Sequence, residues 1–334
     1  MRNVTLGIIG TGRIGKLHAE NILRIPGTRL KIAVDPKVDK AWAENIGLNY
    51  AHNTDAIFSD NEIDAVIICS PSGFHIDQIV KAAEAGKHIF CEKPLGFDPR
   101  TIAEALRVVE QQGVKLQIGF NRRFDPDLVR LKQAVDSGTI GRSYLISITN
   151  LDPAPPPAEY LAASGGIFLD TTVHDFDIVR YLSGSEVEEV YSAGAVLIDP
   201  SIGKIGDVDT AMTTLKLENG AMALIHNSRQ AVYGFDQRVE VFGSKGSIST
   251  ENRTQFQTVL KTSQGVVTDK PMDFFLERYK ESYKAEIEDF IRIIREDRQA
   301  AVTGRDGLIP VLIALAAKQS LKEERPVRVE NYSG

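Results

Sequence analysis

The chain has 334 residues, 43% hydrophobic and 25% charged, with a formal net charge of -6. That length exceeds what one hydrophobic core serves, so two globular domains are expected. The acidic balance and the scattered Lys and Arg residues exclude the positive field that nucleic acid or an anionic membrane would need. The longest apolar run, around "LIPVLIALAA", is too short to span a bilayer, and the N-terminus enters a strand pattern without a signal-peptide layout, so a cytoplasmic location is expected. Cys69 and Cys91 are the only cysteines and form no CxxC pair, which reads as two reduced, buried thiols.

The first element is the apolar β-rich run "VTLGII", followed by "GTGRIG" and then the helical periodicity of "KLHAENILRI". Strand, glycine turn and helix in that order form a dinucleotide-binding fingerprint spanning Gly10, Gly12, Arg13, Ile14 and Gly15. Gly10 permits the tight turn, Gly12 lets a pyrophosphate approach bare backbone, and Gly15 lets the helix pack on the strand. The next strand, "RLKIAV", ends at Asp35, twenty residues past Gly15, where the adenosine ribose needs an acceptor. NAD, rather than its 2′-phosphorylated form, is therefore the expected cofactor. Strand patterns continue at 65–70, 88–93 and 115–120, with helices over 75–86 and 99–112. Near-continuous apolar strands of this kind belong to a parallel sheet buried on both faces. The segment Ser70, Pro71 to His75 and the triplet Glu92-Lys93-Pro94 lie past strand ends, where ligands bind such sheets. A lone lysine at position 93 would read as a solvated cation; beside a nicotinamide it reads as functional.

From residue 121 the pattern changes to longer alternating strands, with a hairpin signal at Asn219-Gly220 and a turn at Ser244–Gly246. An open, mostly antiparallel sheet follows, and its uncovered face calls for a partner subunit. The fold class is thus α/β: a Rossmann domain over 1–120 and an α/β domain with a large open sheet over 121–334. Helical periodicity closes the chain at 283–296 and 306–322. Between the strands sits a stiff loop, "LDPAPPPAEY", then "GGIFLDTTVHDFD". Spacings of four and three put Asp170, His174 and Asp177 on one helical stripe. His174 can act as a base and Asp170 can orient it, while Asp177 reads as a surface or capping acid. None of the six histidines has the spacing of a metal constellation, and no metal is expected.

Together "GTGRIG", "EKP" at 92–94, "GFNRRFDP" at 119–126 and "GGIFLDTTVHDFD" resemble the Gfo/Idh/MocA oxidoreductase family, nearly end to end. Within it the proline loop joined to the histidine motif is most similar to bacterial inositol 2-dehydrogenases. The resemblance implies an NAD-dependent dehydrogenase that oxidises a secondary hydroxyl of a cyclic polyol, myo-inositol to 2-keto-myo-inositol (scyllo-inosose). It places the catalytic roles on Lys93, Asp170 and His174. It implies substrate contacts from Asp152 and Tyr233 as well, and a homodimer or homotetramer. On the same fold, an aldose dehydrogenase, an NAD-recycling glycosidase and an NAD-sensing regulator are the alternatives. A complete Lys93, Asp170 and His174 set is more than a sensor needs.

Overall fold

Six aliphatic runs form parallel strands: β1 (Val4–Ile9), β2 (Thr28–Val34), β3 (Asn49–Ala51), β4 (Ala65–Ile68), β5 (His88–Glu92) and β6 (Leu116–Gly119). They make one sheet in the order β3-β2-β1-β4-β5-β6, the doubly wound Rossmann arrangement. Every residue of β4 is buried, which is why the run "AVII" carries no alternation. These strands belong to a computed structural model that describes residues 3–330. Cys69 and Cys91 are both free thiols, and no helix among the described residues is long and apolar enough to cross a membrane.

The second sheet has seven strands: β7 (Ser143–Leu151), β8 (Val187–Ala195), β9 (Thr210–Leu217), β10 (Met222–Ser228), β11 (Asp236–Gly243), β12 (Gly246–Ser249) and β15 (Val327–Arg328). Its order is β12-β11-β7-β10-β9-β8-β15. The β7–β10 pair is parallel and the other pairings are antiparallel. Gly220, at φ +85°, turns the β9–β10 hairpin where Asn219-Gly220 signals it. A separate ribbon, β13 (Val259–Thr262) with β14 (Gly265–Thr268), is exposed along its whole length.

The chain divides into two units, but not by one cut at residue 120. Residues through Phe124 group with Glu281–Val311, while Asp125–Lys280 groups with residues 312–330. Burial is the reason. Helix Lys280–Glu296 supplies Ile287, Phe290, Ile291 and Ile294 to the apolar cluster that holds Leu6, Ile8, Ile67 and Phe90 of the first sheet. Phe290 meets Phe90 edge to face with ring centroids 5.9 Å apart. The C-terminal part assigned by pattern to the second domain thus completes the core of the first.

Removing that contact should be costly. Phe290→Ala is expected to lower stability by about 3–5 kcal/mol, the range for deleting a buried aromatic ring, measured by urea denaturation. A loss under ~1 kcal/mol would mean that the helix is peripheral to the Rossmann core.

Candidate active site

In the first unit the three fingerprint glycines have different causes. A Cβ on Gly10, at φ +90°, would lie 2.6 Å from the Cys69 carbonyl and the Ser70 nitrogen, and one on Gly15 would lie 1.9 Å from the Gly10 oxygen. Both are therefore demanded by the protein's own backbone. A Cβ on Gly12 would meet nothing within 4 Å. Gly12 caps helix Arg13–Leu23, so its bare backbone faces open space at a helix N-terminus, the setting an anionic pyrophosphate requires. Arg13 and Ile14 open that helix.

Asp35 follows β2 and accepts hydrogen bonds from the amides of Thr11 and Lys37, both at 2.8 Å. Partial burial works against its charge, but these amides win and hold the carboxyl below its ordinary value. At the ends of β4 and β5, His75 is buried with Nδ1 2.8 Å from the Pro94 carbonyl and Nε2 2.8 Å from the Ser70 carbonyl. Burial pushes its imidazole below the ordinary value, with the two carbonyls pulling the other way. Both ring nitrogens are engaged. His75, expected at the cofactor, ties the Ser70–Pro71 segment to the Glu92-Lys93-Pro94 segment. The Ser70 hydroxyl donates to Gln78 Oε1 at 2.6 Å.

Lys93 directly follows β5, and Glu92, its last residue, accepts from His18 Nε2 at 2.8 Å. The same His18 nitrogen is 3.9 Å from Glu286 Oε1. One imidazole and two carboxylates thus come within 4.8 Å of one another in the buried interior, close enough to share a proton. Positions 18, 92 and 286 lie on three elements, so no spacing in the sequence announces the group.

In the second unit the site is set by polar residues that finish apolar stripes. The inward positions of β7 run Ile146, Ile148, Asn150, and those of β10 run Ala223, Ile225, Asn227, then Arg229 just past the strand. Asn150 and Asn227 each donate to Asp175 Oδ2 at 2.8 Å, and the Thr172 hydroxyl donates to Asn227 Oδ1 at 2.8 Å. Arg229, 0% exposed, donates from Nη1 to Asp170 Oδ2 at 3.2 Å, and its Nη2 lies 3.5 Å from Asp207 Oδ2. Asp207 in turn accepts the Ile167 amide at 3.0 Å. These contacts anchor a π-helical turn, Phe168–Thr172, which leads into the α-helix Val173–Ser183 that carries His174.

That turn corrects the stripe expected from the sequence. Asp170 lies in the wider π turn, while His174 and Asp177 lie in the α-helix that follows, so the segment is not the single α-helix that the spacing suggests; π turns of this kind recur at functional sites. Asp177, read as a surface acid, is 0% exposed. Asp170 has two partners that the sequence reading missed, Arg229 and Tyr160. Tyr160, on the short helix Ala158–Ala163 that ends the proline loop, donates to Asp170 Oδ1 at 2.7 Å. Burial and then the Asp170 charge push the Tyr160 phenol well above its ordinary value, and the Asp152 charge adds to this. Asp152 is pinned by its own amide to the Ser228 carbonyl and by its carbonyl to the Ala231 amide. Tyr233 is 44% exposed and donates to Asp236 Oδ2 at 2.6 Å, a bond that raises its phenol. A charged residue at the inward phase of an alternating strand is a signal that could have found Arg229. Nothing in the local pattern singles out Tyr160 from its loop.

The buried countercharge should be essential to this site. Arg229→Met leaves Asp170 and Asp207 facing each other and is expected to cost about 3–5 kcal/mol in urea unfolding, with part regained in the Arg229→Met, Asp170→Asn double variant. A loss below ~1 kcal/mol would mean that water screens the cluster.

Comparison with known proteins covers both units. Residues 4–120 match the model described as "Oxidoreductase family, NAD-binding Rossmann fold", and residues 128–249 match "GFO/IDH/MocA C-terminal domain". A myo-inositol 2-dehydrogenase of Thermotoga maritima is 45% identical, covering 98% of this chain and 99% of that protein. A scyllo-inositol 2-dehydrogenase (NAD(+)) of Bacillus subtilis is 36% identical over 98% of this chain and 96% of its own. The crystal structure of scyllo-inositol dehydrogenase from Lactobacillus casei with bound NAD(H) and scyllo-inositol superposes with a TM-score of 0.90 at 32% identity, covering 98% of this chain and 99% of that one.

Proposed function

This chain belongs to the Gfo/Idh/MocA oxidoreductase family, and from that premise we propose that it is a cytoplasmic NAD-dependent inositol 2-dehydrogenase, oxidising myo-inositol at one ring carbon to 2-keto-myo-inositol. The observation that carries the reading is the anchored Asp170 carboxylate, held by Arg229 and Tyr160 just ahead of His174. Full-length similarity to enzymes named for two inositol isomers supports a cyclic polyol as substrate.

The residues present fit NAD. Gly12 leaves the backbone open for the pyrophosphate, and Asp35 is held as a carboxylate facing the ribose position, where it accepts hydroxyls and repels a 2′-phosphate. When bound, NAD supplies the hydride acceptor. His174 takes the hydroxyl proton as general base, and Asp170 stabilises the imidazolium that results. Lys93 donates to the oxygen on which negative charge develops. Asp152 and Tyr233 bind ring hydroxyls as acceptors, since the Tyr233 proton is already given to Asp236.

Reduced-cofactor absorbance across myo-inositol, scyllo-inositol and a set of aldoses, with NAD and with NADP, tests this reading. Turnover of an inositol with NAD preferred is expected, and His174→Ala should lower turnover by about 10²–10⁴ while leaving NAD binding and folding intact. Activity on aldoses alone would replace the inositol reading with the sugar dehydrogenase one. A folded His174→Ala protein at wild-type rate would remove His174 as the base.

We propose further that the exposed face of the seven-stranded sheet packs on a second copy. Leu145, Tyr191, Met212, Met222 and Phe242, on five different strands, are each 41–53% exposed, a patch of the kind that marks subunit interfaces. Leu145→Glu with Met222→Glu should turn a dimer or tetramer into smaller species in sedimentation velocity. An unchanged mass would move the interface elsewhere.

A further inference from the structure

The buried group His18, Glu92 and Glu286 takes no part in the chemistry above, and its contacts set its protonation. His18 is 0% exposed, its Nε2–H donates to Glu92 Oε1 at 2.8 Å, and its Nδ1 is buried without a hydrogen-bond partner. A neutral ring wastes one acceptor there, whereas an imidazolium would leave a charged N–H unsatisfied, so the neutral Nε2–H form is favoured. The 2.8 Å contact is a direct hydrogen bond and leaves no room for an ion between the two groups. Glu286 is 0% exposed and neither of its carboxyl oxygens has a hydrogen-bond partner. An ionised carboxylate in that position would cost several kcal/mol. Glu92 faces it within 4.8 Å, and two carboxyls this close do not both ionise. Burial first, and the Glu92 charge second, push the Glu286 carboxyl well above its ordinary value.

Only Glu92 of the three reaches the surface: its side chain is 13% exposed, at the carboxyl end of β5. Gly119, its neighbour on β6, leaves the space it occupies, since a Cβ there would lie 3.1 Å from the Glu92 carboxyl. The other titratable groups around the pair are Cys69 and Cys91, whose thiols burial holds neutral, the Tyr283 ring against His18, His75, and Lys93 next in the chain. In a sheet of this order the strand end at β5 borders the nicotinamide position.

We propose that Glu92 and Glu286 hold one proton between them behind the cofactor site, with His18 as their fixed neutral donor, and that this proton is released to solvent when the oxidised, cationic cofactor binds and is kept when the reduced, neutral one does. The positive ring favours two carboxylates over one, and the reduced ring has no such preference. This rests on the NAD reading above and adds to it a proton tied to the cofactor's charge.

Calorimetric titration with NAD⁺ and with NADH at pH 7, each in phosphate and in Tris, counts the protons exchanged. The adenosine and phosphate contributions cancel in the difference between cofactors. In the wild type NAD⁺ is expected to release a measurable fraction of a proton more than NADH, and Glu286→Gln, the isostere of the neutral acid, should abolish that difference while unfolding at the same urea midpoint. Equal counts in the wild type, or a difference that survives in Glu286→Gln, overturns the proposal, as does a Glu286→Gln protein that fails to fold. Infrared spectra of the cofactor-free wild type give an independent reading: the carbonyl band of a protonated carboxyl should persist at pH 7, and its absence overturns the shared proton. If neither cofactor binds, the NAD reading fails, and the infrared band still decides whether the proton is held.

Discussion

A guanidinium with no exposed surface is the constraint on which the second unit's site depends. Arg229 lies against two carboxylates, Asp170 and Asp207, and each does a second job: Asp170 takes the Tyr160 hydroxyl, and Asp207 takes the Ile167 amide at the mouth of the π turn. One buried cation therefore fixes the carboxylate, the start of the turn that bears it and, through Tyr160, the end of the proline loop. Placing an arginine there is possible because β10 brings it to the inward phase after Ala223, Ile225 and Asn227. Neighbouring amides hold the next carboxylate: Asp175 accepts from two asparagines whose strands are paired in parallel register.

The first unit solves its problem with backbone instead. Gly10 and Gly15 are required by carbonyl and amide atoms less than 3 Å from where a side chain would begin, and Asp35 is held by two main-chain amides. Where side chains do enter, as with His75, they tie one strand-end segment to another. A bare helix N-terminus of this kind offers backbone N–H groups, the donors that suit an anion.

Features set by local chemistry were legible in the sequence. The parallel strands showed as unbroken apolar runs, the fingerprint as glycines at fixed offsets, and the β9–β10 hairpin as Asn219-Gly220. Features set by long-range packing were not. His18, Glu92 and Glu286 come from three distant segments, and the apolar stripe of helix Lys280–Glu296 says that it is buried without saying against which sheet. The π turn was hidden because a four-residue spacing is ambiguous once the helix changes period. Asp177 looked like a surface acid because acids usually are, and only the packing of its helix places it at zero exposure.

The interleaving of the two units has a consequence for how the protein is made. The first sheet is complete once β6 has left the ribosome, but Ile287, Phe290, Ile291 and Ile294, which belong to the core around Leu6, Ile8 and Phe90, are translated only after the whole segment Asp125–Lys280. At 5–20 residues per second that is a delay of roughly 10–30 s. During it the nascent Rossmann sheet carries an uncovered apolar surface while the second sheet is still being threaded out behind it. Vectorial synthesis therefore cannot finish the N-terminal unit first. Its closure waits on helix Lys280–Glu296.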